Sequence, residues 1–585
     1  DLPLSEITSF RQWDSKTPGH PEAFLTPGVD ATTGPLGQGA GNAVGFAIAE
    51  RYLAQLFNKP GFELVNHHTY SLVSDGDLME GVSTEAASLA GHLKLGKLIY
   101  LYDSNDITLD GPTSLTFSTE DVAKRYESYG WHVVTVKNGD EDLCEIDTAI
   151  AAAKKETEKP SLIIVKTTIG YGSPNKQGTS SSHGSPLGEK EVALTKEALQ
   201  WDPEKKFFVP DAAREQFEKA LYNGKELYEN WNQMFEGYTE KFPEHAKMWN
   251  QAHQKELPAL WDKDLPCWGP EEKLATRQAS GAILNQLAKK LPWLVGGDAD
   301  LSCSTNTLLK EENSFEGQKG TGRNIHFGVR EHAMTAIANG MSYHQGVIPF
   351  VATFFCFSDY MRPSVRLAAM NHLQSIYVWT HDSIALGEDG PTHQPVEHLA
   401  ALRAMPNLTL VRPCDALETL EAWKFALQHT SGPTGLVLTR QKLPVLDRKV
   451  VASESGLKNG AYILCESDGK TIDAILIASG SEVHLALTAK AELEKEGIAT
   501  RVVSMPSMDL FEKQPHDYQQ KVLPPSIKAK VAVEAGATFG WHRWVGENGK
   551  IIGLDRFGAS APGDQVLEKL GFNTKNVVET VKSIL

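Results

Sequence analysis

Short runs of β-branched residues alternate with longer amphipathic segments along most of the chain, and no other feature constrains the fold as strongly. In the first block this alternation predicts strands at residues 70–73, 97–102, 131–136 and 161–166, and helices over residues 39–57 and 80–93. Strands separated by helices of this length pair in parallel and carry the helices on their faces. The pattern therefore predicts an α/β fold.

The alternation stops and resumes in a way that divides the chain into three domains. Residues 189–263 are charged, dotted with Trp and Tyr and free of a clear strand pattern, and we interpret them as a linker or helical cover. A second block predicts strands at 294–297, 348–357, 375–378, 408–411 and 435–438, and a third predicts strands at 474–478, 500–504 and 530–533 with a helix over 483–496. At about 100–200 residues per domain, 585 residues accommodate three domains. We predict three α/β domains with mostly parallel sheets, at residues 1–245, 246–450 and 451–585.

Charge and composition exclude several classes of function. The chain has 57 Lys and Arg against 74 Asp and Glu, a formal net charge of -17, which disfavours nucleic acid or an anionic membrane as a partner. The longest apolar runs, such as residues 162–165, fall far short of the ~20 residues needed to span a bilayer. The six cysteines form no CxxC pair, a pattern typical of reduced thiols in the cytoplasm. A site for anionic substrates must therefore be a local cluster of cations.

Two polar side chains follow neighbouring predicted strands, at the ends where open α/β sheets bind ligands. Asp75 follows the strand at 70–73, and Asn105 follows the strand at 97–102. Together with a backbone carbonyl near Ile107 they form a set of hard oxygen ligands, which suits Mg²⁺ or Ca²⁺ that also holds a diphosphate. Two Asx turns that end the strands would explain the same residues without a metal.

Two glycine-rich loops and a group of aromatic residues are less specific candidates. Residues 34–39 resemble a phosphate-cradling loop before a helix, although such turns also occur for packing reasons alone. Residues 387–394 combine two acids, a histidine and two glycines, a mixture found both in functional loops and in solvated turns. Phe354, Phe357 and Tyr360 are spaced i, i+3 and i+6, which predicts one helical face that packs in a core.

Four isolated charged residues have ordinary explanations when each is taken alone. Arg277 and Arg440 would be solvated or ion-paired, as most surface arginines are. His20 lies in a rigid Pro/Gly turn and would be a surface histidine, while Glu331 would cap a helix or form an ion pair. None of these residues identifies a function by itself.

In their order and relative spacing, these segments resemble the transketolase family over essentially the whole chain. The resemblance is carried by residues 17–20, 34–39, 75–76, 105, 328–331, 380–383, 387–394 and 438–441. It implies a thiamine diphosphate enzyme of the pentose phosphate pathway, which moves a two-carbon ketol unit from a ketose phosphate such as xylulose 5-phosphate. The acceptor would be an aldose phosphate such as ribose 5-phosphate or erythrose 4-phosphate. It also implies a thiamine diphosphate-binding fold with diphosphate-binding, pyrimidine-binding and C-terminal domains, in that order.

The resemblance assigns one group of residues to the cofactor and its metal. Asp75, Asn105 and the carbonyl of Ile107 would ligate Mg²⁺ or Ca²⁺. Glu331 would hydrogen-bond the aminopyrimidine ring and favour its imino tautomer, which takes part in proton transfer. The remaining cofactor contacts would be His20, Gly34, Leu36, Gly76, His183 and Asp300, together with the three aromatic residues Phe354, Phe357 and Tyr360, whose core interpretation is thereby reversed.

A second group of residues would bind and convert the sugar. The phosphate end would contact Arg277, Ser304, His381 and Arg440, and a guanidinium suits this task because its planar fork pairs two phosphate oxygens. The sugar hydroxyls and the reacting carbonyl would contact His20, His183, Asp389 and His393. The residues implied in catalysis are Glu331, His393, His20 and Glu80, the last through contact with the partner subunit's Glu331.

The resemblance also bears on assembly and on the start of the chain. It implies a homodimer whose active sites lie at the subunit interface. It implies, too, that about eighty family residues with two active-site histidines precede the position of Asp1, so we expect the printed sequence to fold but to be poorly active. Three alternatives remain open: a dihydroxyacetone synthase, a deoxyxylulose-phosphate synthase, and a non-catalytic relative with a binding or regulatory role.

Overall fold

The computed structural model describes residues 2–317 and 322–585. These residues form two compact units. The first comprises the described residues within Asp1–Glu256, Phe315–Thr321 and Ala336–Val347, and the second comprises those within Leu257–Ser314, Gly322–Thr335 and Ile348–Leu585. Each unit is built on parallel sheets, as the alternating pattern predicts.

The first unit contains a four-stranded parallel sheet. Its strands are β1 (Thr69–Ser74), β2 (Leu98–Ser104), β3 (His132–Val136) and β4 (Ser161–Lys166), in the order β1-β2-β4-β3. The two inner strands are nearly continuous apolar runs, because a parallel sheet covered by helices is buried on both faces. Ile99, Ile163 and Val165 accordingly lie in one apolar cluster.

In the described residues up to Glu256, nine α-helices surround this sheet or extend from it. They are α1 (Leu4–Thr8), α2 (Gln38–Phe57), α3 (Asp75–Met79), α4 (Gly81–His92), α5 (Val122–Ser128), α6 (Leu143–Lys155), α7 (Glu189–Ala198), α8 (Asp211–Lys241) and α9 (Pro243–Gln254). The prediction of helix without strand over residues 189–263 is confirmed as far as Gln254. The 31-residue helix α8 exposes most of its length and buries only Tyr238, which agrees with its charged sequence.

The second unit contains a six-stranded parallel sheet of order β10-β11-β9-β8-β6-β7. The strands of this region are β5 (Lys273–Leu274), β6 (Leu294–Asp298), β7 (Asn324–His326), β8 (Ile348–Phe354), β9 (Ile376–Thr380), β10 (Thr409–Val411), β11 (Thr434–Leu438) and β12 (Leu443–Pro444), where β5 and β12 form a separate antiparallel pair. Its helices are α10 (Thr276–Lys290), α11 (Ser302–Thr305), α13 (Ser358–Met370), α14 (His398–Arg403) and α15 (Ala416–Gln428), while α12 (Glu331–His344) begins in the second unit and ends in the first.

A five-stranded sheet completes the second unit. Its strands are β13 (Tyr462–Glu466), β14 (Ala474–Ala478), β15 (Thr500–Ser504), β16 (Ala529–Val533) and β17 (Lys550–Ile552), in the order β13-β15-β14-β16-β17, and β13 alone runs antiparallel. The helices are α16 (Glu482–Lys495), α17 (Met508–Glu512), α18 (His516–Val522), α19 (His542–Val545), α20 (Gly563–Lys569) and α21 (Thr574–Lys582). Apolar residues of β14, β15 and β16 pack against α16 and α21 in one core.

Two further observations bear on the composition argument. Within residues 2–317 and 322–585, no helix combines the length and apolar character that a bilayer span requires. All six cysteines, which lie in this described part, are free thiols. The predicted strands coincide with observed ones, and the prediction of α/β domains with mostly parallel sheets is confirmed.

Candidate functional site

The metal ligands predicted at the carboxyl edge of the first sheet lie together. Asp75 is the first residue of α3, directly after β1, and is 2% exposed. Its Oδ1 accepts a hydrogen bond of 2.5 Å from the Tyr102 hydroxyl, and its Oδ2 accepts one of 3.2 Å from the Asp106 backbone N–H. Burial raises the pKa of this carboxyl, and the Tyr102 hydrogen bond opposes that shift.

The neighbouring loop after β2 presents the other predicted ligands. Asn105 Oδ1 accepts a hydrogen bond of 3.1 Å from the Ile107 N–H, which forms an Asx turn. Asp106 between them has a φ of 61°, a left-handed conformation. The turn orients this loop toward Asp75, so the Asx-turn interpretation and the metal interpretation describe the same geometry rather than competing ones. A buried carboxylate beside an amide oxygen fits a hard divalent cation, whose charge would offset the burial of Asp75.

The glycine-rich loop before α2 forms one wall of a cleft. His20, Gly34 and Leu36 all line this cleft, which has a volume of about 1,040 Å³. A Cβ built at Gly34 would lie 3.5 Å from His20 Cγ, so the imidazole packs directly over this glycine. A Cβ at Gly76 would approach Leu36 Cδ1 to 2.9 Å, so glycine keeps the space beside Leu36 open. These features fit the close approach of a diphosphate.

Asp77 joins the glycine-rich loop before α2 to the end of β1, next to the predicted metal ligand Asp75. The sequence analysis did not identify Asp77. Its Oδ1 accepts from the Gly37 N–H at 2.8 Å, while its Oδ2 accepts from the Ser74 N–H and hydroxyl at 2.9 and 2.7 Å. Ser74 and Asp77 form a capping box at the start of α3, and their three-residue spacing is a sequence signal for this motif. Glu80 is exposed, with its Cβ beside Gly37, and its role stays a prediction.

The predicted aromatic stripe is not one helical face, and this expectation was wrong. Phe354 ends β8, Phe357 lies in the 3₁₀ turn Phe355–Phe357, and Tyr360 lies in the first turn of α13. The chain changes from strand to turn to helix within these seven positions, so a period of three does not describe a helix here. The rings nevertheless follow one another, with centroids of Phe354 and Phe357 5.9 Å apart and those of Phe357 and Tyr360 6.1 Å apart. Tyr360 is 61% exposed, which also excludes a core role for its ring.

Glu331 lies beside this aromatic turn. It is the first residue of α12 and only 8% exposed. A carboxylate in the first turn of a helix interacts favourably with the helix dipole. Burial, Asp359 and also the charge of Glu331 raise the pKa of the Cys356 thiol to about 12, which indicates that Glu331 and Cys356 are close. The structure thus places a buried carboxylate at the start of α12, near enough to Cys356 of the aromatic turn to affect the pKa of its thiol.

The predicted phosphate-binding residues form a cluster of cations. Arg277 Nη1 donates to the Ser304 carbonyl at 2.5 Å, and Arg440 Nη1 donates to the Leu386 carbonyl at 3.2 Å. The buried Arg277 Nε has no hydrogen-bond partner among the described residues. Burial and the neighbouring Arg440 lower the pKa of Arg277. Two neighbouring guanidinium groups that each donate to a carbonyl oxygen fit the binding of an anion.

His381 and His393 lie beside these two arginines. Burial, the two arginines and His393 together lower the pKa of His381 to about 3, so its imidazole is neutral at physiological pH. The His381 ring lies 3.8 Å from the Phe354 ring, and the His393 ring lies 5.5 Å from the Phe357 ring in an edge-to-face arrangement. The cation cluster and the aromatic turn are therefore parts of one surface of the second unit.

Three predicted site residues have less defined surroundings. Asp389 is exposed in the loop after the 3₁₀ turn Ile384–Leu386, and Asp300 is exposed with a φ of 62° in the loop after β6. His183 is half-buried, and its Nδ1 has no hydrogen-bond partner among the described residues. A buried nitrogen of this kind fits a ligand contact. The roles of these residues stay predictions.

Family models match all three predicted regions of the chain. The transketolase thiamine diphosphate binding domain matches residues 1–258, the transketolase pyrimidine binding domain matches residues 272–445, and a transketolase-like C-terminal domain matches residues 460–573. The metal-ligand loops fall in the first of these ranges, and the aromatic turn and the cation cluster fall in the second.

Individual relatives agree with the family models. The chain is 53% identical to the transketolase of Bacillus subtilis and 51% identical to that of Geobacillus stearothermophilus, with alignments that span 100% of this chain and 88% and 87% of those proteins. The transketolase structure from Leishmania mexicana superposes with a TM-score of 0.96 at 46% identity, over 100% of this chain and 85% of that one. A Pichia stipitis transketolase solved with sedoheptulose 7-phosphate gives a TM-score of 0.96 at 41% identity, over 100% and 86%. The resemblance seen in the motifs is thereby confirmed: the chain belongs to the transketolase family.

Proposed function

We propose that this chain transfers a two-carbon ketol unit reversibly from a ketose phosphate, such as xylulose 5-phosphate, to an aldose phosphate, such as ribose 5-phosphate or erythrose 4-phosphate. The observation that carries the proposal is the pair of neighbouring cations Arg277 and Arg440, with His381 and His393 beside them, within an acidic protein. The family models and relatives reported above are all transketolases, so they favour this activity over a dihydroxyacetone synthase or a deoxyxylulose-phosphate synthase. A non-catalytic relative would need neither the anion site nor the buried Glu331.

We infer that the chain holds thiamine diphosphate together with Mg²⁺ or Ca²⁺. The first matched domain is a thiamine diphosphate binding domain. Asp75, Asn105 and the Ile107 carbonyl would hold the metal, and Gly76 would leave room for the diphosphate. When bound, the cofactor supplies the carbon nucleophile that accepts the two-carbon unit.

The chain's own residues would bind the substrate, orient it and move protons. The Arg277 and Arg440 guanidinium groups would pair the phosphate oxygens, which fixes the far end of the sugar. His381 would contact the phosphate end through Nε2, because its Nδ1 is hydrogen-bonded to the Thr380 hydroxyl at 2.8 Å, and His393 would act beside the reacting carbonyl. Glu331 would hold a proton at the aminopyrimidine nitrogen while the rings of the aromatic turn exclude water from it.

The steady-state rate with xylulose 5-phosphate and ribose 5-phosphate tests this function. The full-length protein is assayed after exhaustive chelation, then with thiamine diphosphate and Mg²⁺ added singly and together. We expect activity only when both are present, and we expect Asp75→Ala to remain inactive with both. Undiminished activity in the chelated protein without added cofactor would contradict the proposal.

We further propose a cytoplasmic homodimer in which each active site takes its diphosphate half from one copy and its pyrimidine half from the other. The exposed Tyr360 ring supports the dimer, because an exposed aromatic ring marks an interaction surface. The six free cysteines support the cytoplasmic location, where thiols stay reduced. Mixed dimers of Asp75→Ala and Glu331→Gln chains test the shared site. Because each mixed dimer then contains one intact site, coexpression should restore about a quarter of wild-type activity from two inactive variants. No recovery in verified mixed dimers would contradict the shared site.

A further inference from the structure

The loop that carries Asp389 and His393 is attached to the region of the C-terminal sheet by buried hydrogen bonds. Gln394 directly follows His393 and is 3% exposed. Its Nε2 shares its two N–H groups among three carbonyl oxygens, those of Ile384 at 3.3 Å, Gly387 at 2.9 Å and Ala559 at 2.9 Å. Two of these carbonyls belong to the loop itself, and the third belongs to the segment between β17 and α20. The Gln394 amide therefore joins the loop to the C-terminal domain.

Backbone packing reinforces this attachment. Gly387 and Gly390 have φ values of 89° and 76°, a region that favours glycine. A Cβ at Gly387 would lie 2.8 Å from the Gly563 backbone nitrogen, and a Cβ at Gly558 would lie only 1.8 Å from Gln394 Oε1. Ser560 Oγ also donates to the Glu388 carbonyl at 2.6 Å. The loop and residues 558–563 are thus fitted to each other with no space for an added methyl group.

The other end of this segment is fixed by a buried ion pair with Arg412, which follows β10 and in turn pairs with a residue of the C-terminal domain. Asp382 follows His381, and its Oδ2 accepts a hydrogen bond of 3.0 Å from Arg412 Nε and lies 2.7 Å from Arg412 Nη2 in an ion pair. Arg412 also pairs with Glu482 Oε2 at 2.5 Å, on the first residue of α16. The side chains of these three residues are at most 3% exposed. One end of residues 381–394 is consequently held by the C-terminal domain directly, and the other end is linked to it through Arg412.

We propose that Gln394 is a positioning residue through which the C-terminal domain holds the loop of residues 384–394 in the conformation that presents Asp389 and His393 to the sugar. This inference rests on the proposed function, because the contacts of those two side chains with the sugar are part of it. It gives the C-terminal domain a task in catalysis although none of the predicted site residues lies there. Small displacements of such side chains are costly, since a shift of about 1 Å can lower a rate by 10²-fold.

The test combines kinetics with hydrogen exchange on the holoenzyme. Gln394→Met keeps the length of the side chain and removes both N–H groups, while Ser560→Ala removes the bond from the opposite side. Thr488→Ala is the matched control, since its hydroxyl bonds the His484 carbonyl on the exposed face of α16. For each variant we would measure kcat and KM with xylulose 5-phosphate and with hydroxypyruvate, the dissociation constant of thiamine diphosphate, and amide exchange in residues 384–394.

We expect Gln394→Met to lower kcat/KM for xylulose 5-phosphate at least tenfold and to speed amide exchange in the loop. The effect on hydroxypyruvate should be smaller, because hydroxypyruvate has a single hydroxyl group, and cofactor affinity should change less than about twofold. Ser560→Ala should change the same quantities in the same direction by a smaller factor, and Thr488→Ala should match the wild type. If Gln394→Met does not fold, Ser560→Ala alone carries the test.

Two results would overturn the inference while the proposed function stands. One is faster loop exchange with kcat/KM for xylulose 5-phosphate unchanged within about twofold, in which case the loop's conformation does not matter for the reaction. The other is an equal loss for both donors together with weaker cofactor binding, which would identify Gln394 as a purely structural residue. An inactive wild type with bound cofactor would instead overturn the proposed function, and with it this inference.

Discussion

The Tyr102 hydroxyl donates a hydrogen bond of 2.5 Å to Oδ1 of Asp75 at the buried edge of the first sheet. This bond fixes one oxygen of the proposed metal ligand and leaves Oδ2 directed toward the loop of Asp106. Partners of this kind orient a ligand for its metal, and losing one typically lowers metal affinity 10–100-fold. The bond is therefore expected to matter for the metal although Tyr102 is not itself a ligand.

Tyr102→Phe tests this expectation. We expect the dissociation constant for Mg²⁺, measured by calorimetry in the presence of thiamine diphosphate, to rise about tenfold or more. Tyr238→Phe is the matched control, because that buried hydroxyl bonds the Phe57 carbonyl in a different part of the same unit. Equal Mg²⁺ affinities for Tyr102→Phe and Tyr238→Phe would show that the bond has no role at the metal.

Removal of one arginine should separate phosphate recognition from the chemistry. We expect Arg440→Ala to raise KM for xylulose 5-phosphate by one to two orders of magnitude, because a hydrogen bond to a charged group contributes roughly 1.5–3 kcal/mol. Hydroxypyruvate has no phosphate, so its KM should change much less. Arg543→Ala, an exposed arginine paired with Glu512, should leave both values unchanged. Equal increases for both donors would mean that Arg440 acts through the structure of the loop.

The Arg440→Ala variant should also change the pKa of His381. Burial and then Arg277, Arg440 and His393 lower the pKa of this imidazole from its usual 6.5 to about 3. A lowered histidine pKa reduces stability as pH falls from 6.5 toward 3, because the unfolded chain takes up the proton more readily. Arg440→Ala removes one repelling charge, so the pKa of His381 should rise. Nitrogen-15 NMR of labelled histidines measures it, and an unchanged pKa would contradict the cluster described here.

The strands that sequence predicts are those that are long and apolar. Residues 161–166, 474–478 and 500–504 coincide exactly with β4, β14 and β15, because strands buried on both faces have a strong local signal. The analysis missed the two-residue strands β5 and β12, and it missed β7, β13 and β17. Two of the last three contain only three residues, and β13 and β17 lie at the edges of their sheet. Such strands exist because a neighbouring strand offers hydrogen bonds, which the local sequence does not reveal.

The candidate site likewise contains residues that the sequence predicts and contacts that it does not reveal. Asp75 and Asn105 are predictable because each directly follows a strand, and the carboxyl ends of parallel strands share one edge. The bonds of Tyr102 to Asp75 and of Gln394 to Ala559 join residues 27 and 165 positions apart, so spacing gives no sign of them. The aromatic turn was misassigned because a period of three fits a helix, whereas the backbone changes conformation twice within it.

A buried ion pair between Arg403 at the end of α14 and Glu534 after β16 gives a prediction for stability. Glu534 is 1% exposed and accepts from Arg403 Nη1 and Nη2, both at 2.7 Å. Burial raises the pKa of Glu534, but Arg403 and Arg412 outweigh it and hold that pKa at about 2. The lowered pKa stabilises the fold above pH 4.5, and this contribution is lost as pH falls toward 2.

Arg403→Met should therefore reduce the free energy of local unfolding by about 3–5 kcal/mol at pH 7, because it leaves a buried charge without one partner. Hydrogen exchange of the β14 and β16 amides measures this quantity. The difference between wild type and variant should shrink as pH falls from 4.5 toward 2, where Glu534 becomes protonated. Arg543→Met removes an exposed pair and should cost at most about 1 kcal/mol. A similar loss for both variants would contradict the structural role of the buried pair.

Transfer of a labelled two-carbon unit tests the central claim most directly. Xylulose 5-phosphate labelled with carbon-13 at its first two carbons is incubated with ribose 5-phosphate, thiamine diphosphate, Mg²⁺ and the full-length protein, and the products are followed by NMR. The account predicts that both labels appear together in a seven-carbon ketose phosphate, and that Glu331→Gln slows this transfer ~10²–10⁴-fold while still binding the cofactor. Labels that stay in the five-carbon donor in the wild type with bound cofactor, or equal rates for wild type and Glu331→Gln, would contradict it.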